Sequence, residues 1–118
     1  MKIVYASRTG NVAAFVKKLG IGNILELKIG KEKVNEKFVL VTFTDGYGEL
    51  PEEVNDFLEN NNDYLAGVAA SGDKSYGEAY ALAADLISNT YGVPIILKFE
   101  FDGTDADVEA FKDALLDL

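Results

Sequence analysis

Three short segments carry residues able to grip a small ligand that is anionic at one end and aromatic at the other. Ser7-Arg8-Thr9-Gly10-Asn11 supplies two hydroxyls, the chain's only arginine and a glycine, directly before an apolar helical period that starts at Val12. The first amides of a helix have no intrahelical partner, so such a segment can wrap a phosphate monoester with neutral donors. The same residues also make an ordinary strand-to-helix turn with Thr9 or Asn11 as N-cap. Thr44-Asp45-Gly46-Tyr47-Gly48-Glu49 sets an aromatic between two glycines, where a peptide can reorient cheaply or simply turn into the helix that follows. Ser71-Gly72-Asp73-Lys74-Ser75-Tyr76-Gly77, with Tyr80 one turn on, offers Tyr76 as a stacking face and the Ser71 to Asp73 backbone as an edge of donors and acceptors. Tyr76 and Tyr80 serve equally well as caps on a core.

The elements that must position these loops follow from hydrophobic period. Runs at Lys2 to Ala6, Phe38 to Thr44 and Leu65 to Ala70 lack polar alternation and read as central strands buried on both faces. Ile24 to Ile29 and Pro94 to Phe101 interpose charged residues and read as edge strands. Helical stripes appear at Val12, Phe15, Val16 and Leu19; at Val54, Phe57 and Leu58; and at Ala79, Leu82, Ala83, Leu86 and Ile87. A fourth helix starts at Thr104, whose spacing to Asp107 resembles a capping box, and continues through Val108, Phe111 and Leu115. Pro51 suits a first helical turn, and the run from Asn60 to Asp63 should end that helix. Gly30 to Lys37 is short and charged, a loop where many doubly wound proteins keep a helix. Residues 1–118 are therefore expected to form a single flavodoxin-like α/β domain, a doubly wound five-stranded parallel sheet of order 2-1-3-4-5 flanked by helices.

Composition narrows the chemistry. The chain of 118 residues is 48% hydrophobic and 26% charged, with neither cysteine nor histidine. Thiolate nucleophiles, cysteine metal sites and the commonest general base are thereby excluded, and no catalytic side chain or metal ligand is assigned. A formal charge of −9 disfavours nucleic acid and anionic membrane surfaces as partners. No apolar run is long enough to span a bilayer, and the N-terminus enters a strand pattern without a signal-peptide layout, so a cytoplasmic location is expected.

All three loops fall at the carboxyl ends of adjacent strands 1, 3 and 4, where open parallel sheets bind ligands. Flavin mononucleotide (FMN) fits that arrangement. Its phosphate matches the first loop, and its ring needs aromatic faces and a peptide that can follow the proton gained at N5 on reduction. The expected cofactor contacts are Ser7, Arg8, Thr9, Gly10, Asn11 and Val12; Thr44, Asp45, Gly46, Tyr47 and Gly48; and Ser71, Gly72, Asp73, Tyr76, Gly77 and Tyr80. Asp45, Glu49, Asp73 and Glu78 should crowd the ring end with negative charge and lower the flavin potential.

The chain resembles the flavodoxin-like NrdI family over nearly its whole length. The resemblance rests on Ser7-Arg8-Thr9-Gly10-Asn11, Phe38-Val39-Leu40-Val41-Thr42, Gly67-Val68-Ala69-Ala70-Ser71-Gly72-Asp73-Lys74 with Tyr76-Gly77, and Val93-Pro94 followed by Lys98-Phe99-Glu100-Phe101-Asp102-Gly103-Thr104. It implies FMN and a role in activating the small, manganese subunit of class Ib ribonucleotide reductase. In that family the reduced flavin reacts with molecular oxygen, and superoxide or peroxide passes to the dimanganese site for tyrosyl radical formation. A flavin or thiol-type reductase would supply electrons. Gly46 departs from relatives that carry Asn there. A general low-potential flavodoxin electron carrier is the alternative. A receiver-type signalling domain shares the strand order but needs clustered carboxylates after the first strand, where this chain has Ser7-Arg8-Thr9.

Overall fold

Successive side chains of a strand point to opposite faces, and here both faces of the central strands are apolar. The computed structural model describes residues 1–118. Its strands β1 (Lys2–Tyr5), β2 (Ile24–Glu26), β3 (Phe38–Phe43), β4 (Leu65–Gly72) and β5 (Ile95–Glu100) form one sheet of order β2-β1-β3-β4-β5. All pairings are parallel, with Val4 beside Leu40 and Leu40 beside Val68 at the centre. The two alternating runs supply the edges β2 and β5, as their sequence pattern requires.

Four helices cover the sheet: α1 (Asn11–Leu19), α2 (Glu52–Asn61), α3 (Leu82–Tyr91) and α4 (Asp105–Leu115). On one face Ile3, Val39, Val41 and Phe99 pack with α1 and α4. Phe15 stacks on Phe99 at 4.1 Å between centroids and meets Phe111 edge-on at 5.6 Å. On the other face Val4, Leu40, Val68 and Ala70 meet Val54, Phe57 and Leu58 of α2 and Ala83, Ala84 and Ile87 of α3. Each large side chain so buried contributes about 1.5–3 kcal/mol, which fixes the loops at the sheet's carboxyl edge on a rigid base. No helix is long and apolar enough to cross a membrane.

Local chemistry sets several boundaries that the period alone misplaces. β2 ends at Glu26, three residues before the expected Ile29, because the amides of Lys28, Ile29 and Gly30 donate to the Glu32 carboxylate and leave the ladder. Gly30 to Lys37 carries no helix, as its composition predicts. Its course is tied to α2 by buried Asn61, which accepts from the Val34 amide and donates to the Glu32 carbonyl. β4 runs to Gly72, two residues beyond the expected Ala70. α3 starts at Leu82, not Ala79, since Lys74–Ala79 forms a 3-10 turn and Ala81 adopts φ 49°. The capping box at Thr104 is present, with Thr104 Oγ1 accepting from the Asp107 amide and Asp107 accepting from the Thr104 amide.

Candidate functional site

The carboxyl ends of β1, β3 and β4 enclose a cavity of ≈ 310 Å³, within the range of small-ligand sites. Of the residues expected at the site, Ser7, Arg8, Thr9, Asn11, Val12, Thr44, Asp45, Ser71, Gly72, Asp73 and Tyr76 line it. Gly10, Gly46, Tyr47, Gly48 and Gly77 do not. Tyr80 lines a separate recess with Lys74, Lys98 and Thr104, because the turn after β4 carries it toward α4.

The first loop is built to receive an anion. Gly10 holds the N-cap position of α1 in a left-handed conformation, φ 95°, with no side-chain cap; neither Thr9 nor Asn11 caps the helix. That conformation suits glycine and turns the preceding amides away from any helical acceptor. The first amide of the segment with a side-chain acceptor is that of Ala13, which donates to Ser7 Oγ at 3.1 Å. The amides of Arg8, Thr9, Gly10, Asn11 and Val12 have no protein acceptor. Ser7, accepting from Ala13, keeps its hydroxyl proton for another partner.

The second and third loops bring aromatic faces and paired charges. Thr44 Oγ1 donates to the Ser71 carbonyl at 3.1 Å, joining the ends of β3 and β4. The Tyr47 and Tyr76 rings lie 5.6 Å apart and tilted by 32°. That spacing leaves no slot for a planar ligand between them; Tyr76 lines the cavity, and exposed Tyr47 does not. Arg8 donates to both carboxylate oxygens of Asp45, at 2.8 and 3.2 Å. The Arg8 hydrogen bond holds the Asp45 carboxyl below its ordinary pKa, and Arg8 itself is raised by the same bond. Asp73 is lowered by hydrogen bonds from Ser75, its side chain first and its backbone second. The expected acidic crowd is thus reduced by one: Asp45 is compensated by Arg8, while Glu49 and Glu78 form no ion pair.

Four lining residues escaped the reading of sequence: Phe43, Ala79, Ala81 and Phe101. Phe43 is the last residue of β3, one step before a loop already singled out. Phe101 follows β5, and since β5 pairs with β4 its backbone reaches the site: Ser71 Oγ donates to the Phe101 carbonyl at 2.7 Å. Ala81 and Phe101 are the two non-glycine residues of positive φ, at 49° and 52°. Such strain gathers where a site over-determines the backbone, and both residues sit on the cavity wall.

Sheet order, loop placement and cavity together define a flavodoxin-like protein. The NrdI flavodoxin-like family matches residues 3–113. The chain belongs to that family. Among solved structures it is similar to a short-chain flavodoxin associated with a bacterial microcompartment, at 26% identity and TM-score 0.68 over 97% of this chain and 93% of that one. It is also similar to the flavodoxin of Streptococcus pneumoniae TIGR4, at 25% identity and TM-score 0.68 over 96% and 92%. Oxidised flavodoxin 1 of Bacillus cereus shares the fold at 21% identity and TM-score 0.66, over 96% and 92%. Fold and family imply a flavin ligand, and the open amides, the aromatic face and the cavity fit one.

Proposed function

We propose that the protein binds FMN and delivers a flavin-generated oxidant, superoxide or peroxide, to the dimanganese small subunit of class Ib ribonucleotide reductase for tyrosyl radical formation. The observation that carries the reading is the run of amides from Arg8 to Val12 without a protein acceptor, opening on a cavity at the sheet's switch point. Family membership then favours oxidant delivery over general electron transfer.

In this reading the Arg8 to Val12 amides and the hydroxyls of Ser7 and Thr9 hold the phosphate with neutral donors, which suits a chain of charge −9. Tyr76 provides a stacking face, and the backbone at Ser71 to Asp73 provides polar contacts for the ring. The Asp73 amide, like those of the first loop, has no protein acceptor. Bound FMN would supply the redox chemistry itself, accepting electrons and passing them to oxygen. The chain's own residues bind, orient and set the local charge. Asp45, neutralised by Arg8, adds little field, whereas exposed Glu49 and Glu78 act against further negative charge nearby.

Mixing the FMN-loaded, reduced protein with the dimanganese subunit and oxygen tests this directly, with the tyrosyl radical read by electron paramagnetic resonance. Radical formation that requires the chain is expected. A protein that takes up FMN and electrons yet never yields a radical would instead be a general carrier, the reading favoured by its likeness to flavodoxins. Expected first of all is a retained yellow flavin spectrum after free FMN is removed; a colourless product would overturn both readings.

A further inference from the structure

Arg8 lies in the anion-binding loop, and the simplest role for the chain's only arginine is to grip the phosphate. Its geometry is directed elsewhere. Nη1 and Nη2 both reach Asp45, at 2.8 Å to Oδ1 and 3.2 Å to Oδ2, so the guanidinium fork is spent on one carboxylate. Its Cζ lies over the Phe43 ring, 4.7 Å from the centroid, at the end of β3. One contact is in the second loop and the other at the end of the strand that leads into it. Asp45 in turn organises that loop: its side chain accepts from the Gly46 amide, its carbonyl accepts from the Gly48 and Glu49 amides, and its own amide donates to the Glu49 carbonyl. The turn so closed carries Tyr47 against Tyr76.

We infer that Arg8 is a positioning residue, a clasp that joins the phosphate loop to the ring loop, and that the backbone amides and the Ser7 and Thr9 hydroxyls hold the phosphate without its guanidinium. The inference rests on the FMN reading. Turning Arg8 onto a phosphate would release the Asp45 carboxylate beside an incoming dianion, exchanging a compensated pair for a repulsive contact. Retaining the pair keeps the first loop's charge balanced and couples its position to that of the aromatic pair. Loss of the clasp should therefore be felt by the ring, whether or not the ligand carries a phosphate.

Riboflavin, which is FMN without its phosphate, separates the two roles. Dissociation constants of FMN and riboflavin are measured for the wild-type chain, Arg8→Gln, Arg8→Lys, Asp45→Asn and the Arg8→Gln/Asp45→Asn double variant. A clasp predicts that Arg8→Gln and Asp45→Asn each weaken both flavins by the same factor, roughly three- to tenfold for a well-formed bidentate pair. The double variant should lose no more than either single one, and Arg8→Lys should not rescue, since an ammonium cannot fork. If Arg8→Gln weakens FMN alone, if Arg8→Lys restores it, or if Asp45→Asn tightens FMN, the arginine is a phosphate ligand and the clasp is wrong. Equal affinities of wild type and Arg8→Gln for both flavins overturn it as well. Binding of neither flavin by the wild-type chain sinks the FMN reading itself, and the clasp with it.

Discussion

Two segments of this chain gather consecutive backbone amides at the end of an edge or central strand, and they resolve them in opposite ways. After β2 the amides of Lys28, Ile29 and Gly30 converge on the Glu32 carboxylate at 2.7, 3.2 and 2.9 Å. After β1 the amides of Arg8 to Val12 converge on nothing the protein supplies. The glycines repeat the contrast. A Cβ at Gly30 would meet the Glu53 carbonyl at 2.8 Å and the Asp56 Cβ at 2.9 Å, whereas one at Gly10 would meet nothing within 4 Å. A closed, self-satisfied nest stabilises the fold. An open nest is a place where an external anion completes the hydrogen bonding that the chain leaves undone.

Gly30→Ala breaks the closed side most severely. At φ 83° the new side chain is strained, and it presses on the α2 backbone, which cannot yield as a flexible side chain would. A stability loss of about 3 kcal/mol is expected from strain and overpacking together, read as a lower urea midpoint at unchanged slope. FMN affinity of the folded fraction should not move. Glu32→Ala removes the internal acceptor instead and leaves three amides to water or to nothing, with an expected cost of about 2 kcal/mol. Glu32→Gln keeps one acceptor oxygen and should recover part of that loss. A Glu32→Ala protein as stable as wild type would mean that solvent replaces the carboxylate and that the nest is not closed.

Gly10→Ala inverts the pattern. Only conformational strain opposes it, so the stability cost should be about 1 kcal/mol. Its effect on ligand should be larger, at least tenfold on FMN by roughly the same strain energy or more spent in turning the amides, and clearly smaller on riboflavin. Denaturation curves and the two dissociation constants, taken together, check it. A variant that loses stability but keeps FMN would place the phosphate elsewhere.

Sheet order and the three loops were legible because hydrophobic period reports which faces are buried, and parallel connectivity then fixes where the loops emerge. Phe38 to Thr44 needed no structure to be seen as a central strand. What period does not report is the identity of hydrogen-bond partners. Glu32 reads as one more exposed acid in a charged loop, yet its side chain ends β2 early. Arg8 reads as one cofactor contact in a loop of neutral donors, and nothing in the sequence marks Asp45, 37 positions on, as its partner. Ala81 carries no mark of its positive φ, which is imposed where its amide packs against Gly72, so close that a Cβ there would lie 2.6 Å from it. Tyr80 is spaced to look like a ring contact, and only the non-helical φ and ψ at Gly77 show that the segment turns away.

The smallest effect concerns pH and separates the two nests by what fills them. Burial pushes the Glu32 carboxyl upward, but backbone hydrogen bonds, from Lys28 first and from Ile29 and Gly30 among the rest, outweigh it and hold its pKa below the ordinary 4.5. A group lowered on folding stabilises the fold above its unfolded pKa, and that contribution fades as pH falls through the folded value. The closed nest should therefore weaken only below about pH 4.5, and Glu32→Gln should flatten the fall in melting temperature over that acid range. The open nest should respond earlier. A free phosphate monoester has its second pKa at about 6, and a site that prefers the dianion lowers it on binding, so FMN affinity should decline from there downward while the fold is still at full stability. If FMN affinity and fold stability instead fell together in one window below pH 4.5, the amides of Arg8 to Val12 would not be reading the phosphate's charge, and the contrast between the two nests would fail at its functional end.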